Sequence, residues 1–217
     1  MSTLELIEEY IQTGNNAALT QLLNADPALA TCSTSFKVSP LMLSCYYKKP
    51  EISNTLLEFV KTPSIHEASA VGKFDVVANL IYYHPDLINS YSDDGFTPLG
   101  LASYFGNEEV ARYLLLKGAD PNIPSENGYN VYPLHSAVAA NNADITKILL
   151  EAGAEVNISQ SSGLTPLHSA AHSGNIELLI LLLEAGANTL AKTEDGNTPA
   201  DMAYTSGHIE IAKILST

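Results

Sequence analysis

His168 and His172 stand four residues apart in the stretch LHSAAHSG. On a helix that spacing puts two imidazoles on one face, the way a helix offers two nitrogens to one metal ion. No carboxylate or thiol at a matching spacing completes the set, so no metal site is expected. The thiols of Cys32 and Cys45 would need a neighbouring base and an electropositive setting to act as nucleophiles. The acidic pairs Asp93–Asp94, Glu108–Glu109 and Glu194–Asp195 fall in turns or at helix starts, where solvation and the helix dipole account for them. The chain carries no phosphate-cradling glycine loop, no Gly-x-Ser-x-Gly elbow and no zinc-protease helix. These readings predict a protein that is not an enzyme and holds no cofactor.

The elements that position these residues are repeats. GLTPLHSAAHSGNIELLILLLEAGAN (163–188) aligns with GNTPADMAYTSGHIEIAKILST (196–217), GYNVYPLHSAVAANNADITKILLEAGAE (128–155) and GFTPLGLASYFGNEEVARYLLLKGAD (95–120). The residue after Thr-Pro, or its equivalent, is Leu99, Leu134, Leu167 and Ala200, at steps of 35, 33 and 33. Upstream it continues as Ile7, Leu41 and Ile65, at steps of 34 and 24, with 34 more to Leu99. The short step means that the second unit lacks its trailing turn. Seven units result, over about 1–33, 34–61, 62–91, 92–122, 123–157, 158–190 and 191–217, in a single domain.

Each unit reads as two helices. Thr97, Thr165 and Thr198 can cap the first with a hydroxyl, and the following Pro suits the first helical position, which needs no backbone donor. That helix stops at Gly72, Gly106, Gly174 or Gly207, and a second, leucine-rich helix stops at Gly118, Gly153 or Gly186. Ala102, Ala137, Ala170 and Ala171 let neighbouring units approach, and Cys45 aligns with Ser103 and Ala171 as a small buried position. No unit can bury its apolar faces alone, so stacking is required.

This pattern of Thr-Pro-Leu-His, Gly and Gly-Ala resembles the ankyrin repeat over nearly the whole chain, most strongly from Ser64 onward. The resemblance implies an all-α solenoid of stacked antiparallel helix pairs with short β-hairpin or turn fingers. It also implies that the imidazoles of His66, His135 and His168 bond to backbone and to the capping Thr. Some positions depart from the pattern. Two extra residues lie between Gly128 and Leu134, with Tyr132 where Thr would cap, so that finger is expected to bulge. Asn141 and Lys48 replace the helix-ending glycine, and Lys48 there is expected either to be strained or to alter the turn. Gly100 and Met42 replace the motif His.

A longer period of 58 residues matches Pro27 with Pro85, Pro40 with Pro98, and Tyr46–Tyr47 with Tyr104–Phe105. By the resemblance these aromatic pairs end first helices and face a concave groove, with Phe96, Tyr129 and Tyr132 on or beside the fingers and His172 further along. Large exposed rings at such a place serve binding hot spots. The other reading is that they pack into space left by the missing turn.

At 217 residues, 46% apolar and net charge −14, with the ten basic residues scattered along the chain, nucleic acid and anionic membrane are poor partners. The longest apolar run, Leu178 to Leu183, is far short of the ~20 residues needed to span a bilayer. MSTLELIEEYIQ lacks a basic n-region, which together with two cysteines in a reducing compartment points to a cytoplasmic monomer without a disulfide. The resemblance implies a partner protein, bound at finger tips and groove, and the acidic charge around the groove suggests that its anchor is basic or apolar. Alternatively the chain is a regulatory or stabilising subunit of one enzyme; metal-dependent or enzymatic activity is the remote alternative.

Overall fold

A computed structural model describes residues 2–216. Among them lie fourteen α-helices in seven antiparallel pairs. The first helices are α1 (Thr3–Thr13), α3 (Pro40–Tyr46), α5 (Ile65–Val71), α7 (Pro98–Phe105), α9 (Pro133–Ala139), α11 (Pro166–Ser173) and α13 (Pro199–Thr205). Their partners are α2 (Asn16–Ala25), α4 (Pro50–Phe59), α6 (Phe74–Tyr83), α8 (Glu108–Leu116), α10 (Ala143–Glu151), α12 (Ile176–Glu184) and α14 (Ile209–Leu215). The 58-residue period is visible as two 3-10 turns, Pro27–Thr31 after α2 and Pro85–Asn89 after α6.

The caps explain where first helices begin. Thr97 and Thr198 accept from the backbone N–H three residues on, at 3.1 and 3.3 Å, and Ser39 and Ser64 do the same where the sequence has no Thr. Thr165 is different: its hydroxyl lies 2.8 Å from His168 Nδ1. Lys48 and Asn141 both take the left-handed conformation, at φ 53° and 55°. The turn after α3 therefore keeps its shape, and Lys48 bears the strain of a side chain there.

Leu41, Ile65, Leu99, Leu134 and Leu167 are all buried in the interior, which is what their 24- to 35-residue periodicity requires. First helices such as α5, α7 and α9 pack on one another more extensively than second helices such as α6, α8 and α10 do. Ala68, Ala102, Ala137 and Ala170, each 0% exposed, permit that approach. The core is divided in two. One cluster fills the first two units and reaches Ala70 and Leu101, and the other runs from Ile65 to Leu215. At the division α4 and α6 approach less closely than α6 and α8 do.

The fingers are turns. Thr34, Ser92, Gln160 and Thr193 each donate a backbone N–H to the carbonyl four residues on, at 2.9 to 3.0 Å. Neighbouring fingers are linked by single backbone bonds, Glu126 N–H to Gly95, Ser161 to Tyr129 and Glu194 to Ser162. One rung does not make a ladder, and no strand occurs among the described residues. The finger before α9 closes from Ser125 to Val131, two residues wider, with Asn130 at φ 52°; this is the expected bulge. Between α4 and α5 only residues 60–64 intervene and no finger forms.

Candidate functional site

Both ring nitrogens of His168 are engaged within the fold. Nδ1 accepts from the Thr165 backbone N–H at 3.1 Å, and Nε2 donates to the Asn197 carbonyl at 3.1 Å. His172 on the same helix is exposed, with Nδ1 2.7 Å from the Ser206 hydroxyl. The pair thus leaves no free nitrogen on His168 for a metal ion. His66 and His135 likewise direct Nε2 to carbonyls, of Ser90 and Leu164, at 3.0 Å. Burial, partial for His66 and complete for His135 and His168, lowers the pKa of all three imidazoles, that of His135 to about 4. Because Tyr132 occupies the place of the capping Thr, His135 Nδ1 is left buried with no hydrogen-bond partner. Cys45 is pushed up to about 11 by burial, against hydrogen bonds with Ser53 and Ser44 that lower it, so its thiol stays protonated and poorly nucleophilic.

The two aromatic pairs form one cluster. Tyr46 lies 5.4 Å from Phe105, and Phe105 lies 5.1 Å from Tyr104 edge-on. The Tyr46 hydroxyl donates to the Asp94 carboxylate, and Ser92 donates to the same group. Burial first, then that carboxylate, raises the Tyr46 phenol well above its usual range. Asp94 belongs to the finger before α7. With no finger before α5, this finger reaches across to α3, and Tyr46 ties the two units together. Tyr46, Tyr47, Phe96 and Phe105 are all half-buried against the first core cluster, while Tyr104 is 41% exposed. Three of the four rings of the aromatic pairs therefore pack, and the fourth faces outward.

Tyr104 stands between two clefts. On its finger side a cleft of about 270 Å³ is lined by Tyr46, Phe96, Leu101, Val131 and His135. On its other side a larger cleft of about 620 Å³ opens at the division of the core, reached by Phe105, Val71, Ala139 and Leu57. A third, beyond Tyr46, is lined by Phe36, Tyr47 and Asp94. Of the remaining sequence-predicted residues, Tyr132 lies 5.8 Å from the His135 ring, Tyr129 is exposed on the bulged finger, and His172 lies on α11; none of them lines these clefts.

The larger cleft corrects the reading of charge. Lys48, Lys49 and Lys73 line it together with no acidic residue, so basic side chains scattered in sequence converge here. Acidic side chains line other clefts, Asp94 beyond Tyr46 and Glu67, Asp93 and Asp94 beside His66. The signal was present in the register: Lys49 and Lys73 both stand at the residue before a second helix, the place of Asn15, Asn107, Asn142 and Asn175. Phe36, 57% exposed, was also missed; it is seated on a finger whose turn uses Lys37 at φ 61°.

Among the described residues no helix is long and apolar enough to cross a membrane. Residues 8–125, 65–160 and 134–217 match the family described as ankyrin repeats (3 copies). Relatives include "Ankyrin repeat and SAM domain-containing protein 6" of Rattus norvegicus, 33% identical over 90 residues, covering 42% of this chain and 10% of that one. "Putative palmitoyltransferase ZDHHC13" of Danio rerio is 31% identical over 154 residues, covering 55% of this chain and 24% of that one. "DNA-binding protein RFXANK" of Homo sapiens is 43% identical over 60 residues, covering 28% of this chain and 23% of that one. The chain thus spans less than a quarter of the length of each of these three relatives.

Proposed function

The chain belongs to the ankyrin-repeat family, whose members generally serve as non-catalytic modules for protein–protein interaction, and on that premise we propose that it binds a partner protein in the groove on either side of Tyr104. It does so as a cytoplasmic monomer without catalytic activity of its own. Tyr46, Tyr47, Tyr104 and Phe105 form the core of the surface, with Phe96, Tyr129, Tyr132 and His172 as its flanks. The observation that carries this reading is the exposed ring of Tyr104 walled by two clefts, supported from beneath by Phe105 and Tyr46. A ring held rigidly in place offers area without much entropy to lose on binding, which suits an anchor of recognition. The free thiols of Cys32 and Cys45 fit a reducing compartment.

The test separates the rings. Tyr46→Ala removes a packed side chain and is expected to cost about 3 to 5 kcal/mol of stability. Tyr104→Ala, at the surface, costs about 1 kcal/mol or less while abolishing capture of the native partner in affinity purification. Unchanged capture by the Tyr104→Ala protein refutes the groove.

A further inference from the structure

If that groove binds a protein, the residues on the far side of Tyr104 specify what kind of segment it accepts. The chain has ten basic residues and 24 acidic ones, yet the larger cleft gathers three of the former and none of the latter. None of the three ammonium groups forms an ion pair; among the described residues the ion pairs are Arg112–Glu108 and Lys213–Glu210, both elsewhere. In a molecule of net charge −14, three adjacent and unpaired cations are a strong local departure.

The three also stand at turn and helix-start positions that glycine or a capping asparagine fills in other units. Lys49 and Lys73 begin α4 and α6 with no side-chain cap, as Asn107 and His208 begin α8 and α14, whereas Asn15, Asn142 and Asn175 in the same position cap their helices. The uncapped amides leave the positive ends of two helix dipoles beside the lysines. Lys48 takes the left-handed turn position that is Gly14, Gly72, Gly106, Gly174 and Gly207 in other units and Asn141 in one. A strained turn at Lys48 and two uncapped helix starts, with no ion pair to offset them, mark a place shaped for something other than stability.

We infer that the groove takes an acidic peptide segment of the partner, with an apolar side chain in the finger-side cleft beside Tyr104 and its carboxylates over Lys48, Lys49 and Lys73. This inverts the basic anchor that the overall charge suggests. A nucleic acid would present the same sign of charge, but its many phosphates would meet the remaining acidic surface as well. A short segment with a few carboxylates meets the lysines alone.

The experiment selects from a displayed library of random short peptides on three purified full-length proteins: the natural chain, Lys49→Glu/Lys73→Glu and Tyr104→Ala. Thermal unfolding first establishes that each variant is folded. The natural chain is expected to enrich peptides with Asp or Glu flanking an apolar residue. Enriched peptides, synthesised with a fluorophore, should bind the Lys49→Glu/Lys73→Glu protein at least about tenfold more weakly, and should weaken likewise at high salt. Neutral or basic peptides, or acidic ones indifferent to the charge reversal, overturn the proposal. If such peptides still depend on Tyr104, the groove itself stands; if they are indifferent to Tyr104→Ala too, the groove falls with it. Tighter binding of a fluorescent single-stranded DNA than of any selected peptide also overturns the proposal.

Discussion

Tyr132→Thr should stabilise the protein. The backbone at Tyr132 is already that of a capping residue, φ −88° and ψ 158°, close to Thr198 at −89° and 165° and to Thr97 at −79° and 157°. A threonine therefore enters without rearrangement even though the finger before it carries two extra residues. Its hydroxyl would stand near His135 Nδ1 as that of Thr165 stands 2.8 Å from His168 Nδ1. Nε2 of His135 donates to the Leu164 carbonyl, so in the neutral ring Nδ1 is an acceptor, and it now has no donor. Leaving such a buried group unsatisfied costs about 1 to 3 kcal/mol. Against this stands the loss of the Tyr132 ring over the imidazole, at 5.8 Å and tilted 38°, worth about 0.5 to 1.5 kcal/mol. The balance is about +1 kcal/mol, or a rise of about 2 to 4 °C in the thermal midpoint for a chain of this size. The assay is thermal and urea unfolding of both proteins, with Tyr132→Ala as a control that loses the ring and gains no hydroxyl, and should fall below the parent. A double-mutant cycle with His135→Leu locates the effect, because the gain must disappear once the acceptor is gone. A midpoint that drops for Tyr132→Thr, or a gain that survives His135→Leu, refutes the account of the orphaned nitrogen.

Stability should fall with acid over a defined window. The buried imidazoles hold their protons less tightly folded than unfolded, so stability is complete above the unfolded value near 6.5 and is lost as pH falls toward about 4; His135 alone accounts for about 3 kcal/mol of the loss, and urea midpoints that stay level from pH 7 to pH 4 contradict it. Gly174→Ala should be far more damaging than Gly118→Ala. An added Cβ at Gly174 comes within 2.3 Å of the His208 ring, whereas at Gly118 it meets nothing within 4 Å; both bear a left-handed penalty of about 1 kcal/mol, so equal midpoints for the two variants would show that His208 moves aside freely. Lys48→Gly should raise stability by about 0.5 to 1 kcal/mol by relieving φ 53°, while weakening capture of acidic peptides; a loss of stability would mean that the lysine side chain packs usefully where it lies.

Helix pairs, their order and their buried faces follow from local rules applied at a fixed interval, and so were legible in the chain alone. A Thr-Pro step can do little but begin a helix, a glycine nine residues after the Thr stops it, and a leucine recurring every 33 to 35 residues can be buried only by stacking. The bulge before α9 was legible too, as a count of two extra residues. The meaning of the aromatic pairs was not. Periodicity puts Tyr46 and Tyr104 in equivalent places, yet one is half-buried and the other 41% exposed, because the finger that would have covered α5 is absent and Asp94 reaches Tyr46 in its stead. Equivalent positions acquire different surroundings when a neighbour is missing, and a sequence pattern records positions without surroundings. The same holds for charge. Lys48 and Lys49 lie more than twenty residues from Lys73, and a count along the chain averages them into an acidic whole. Stacking sets equivalent turns of adjacent units side by side, and only in three dimensions do these cations share a cleft and impose a local sign opposite to that of the molecule.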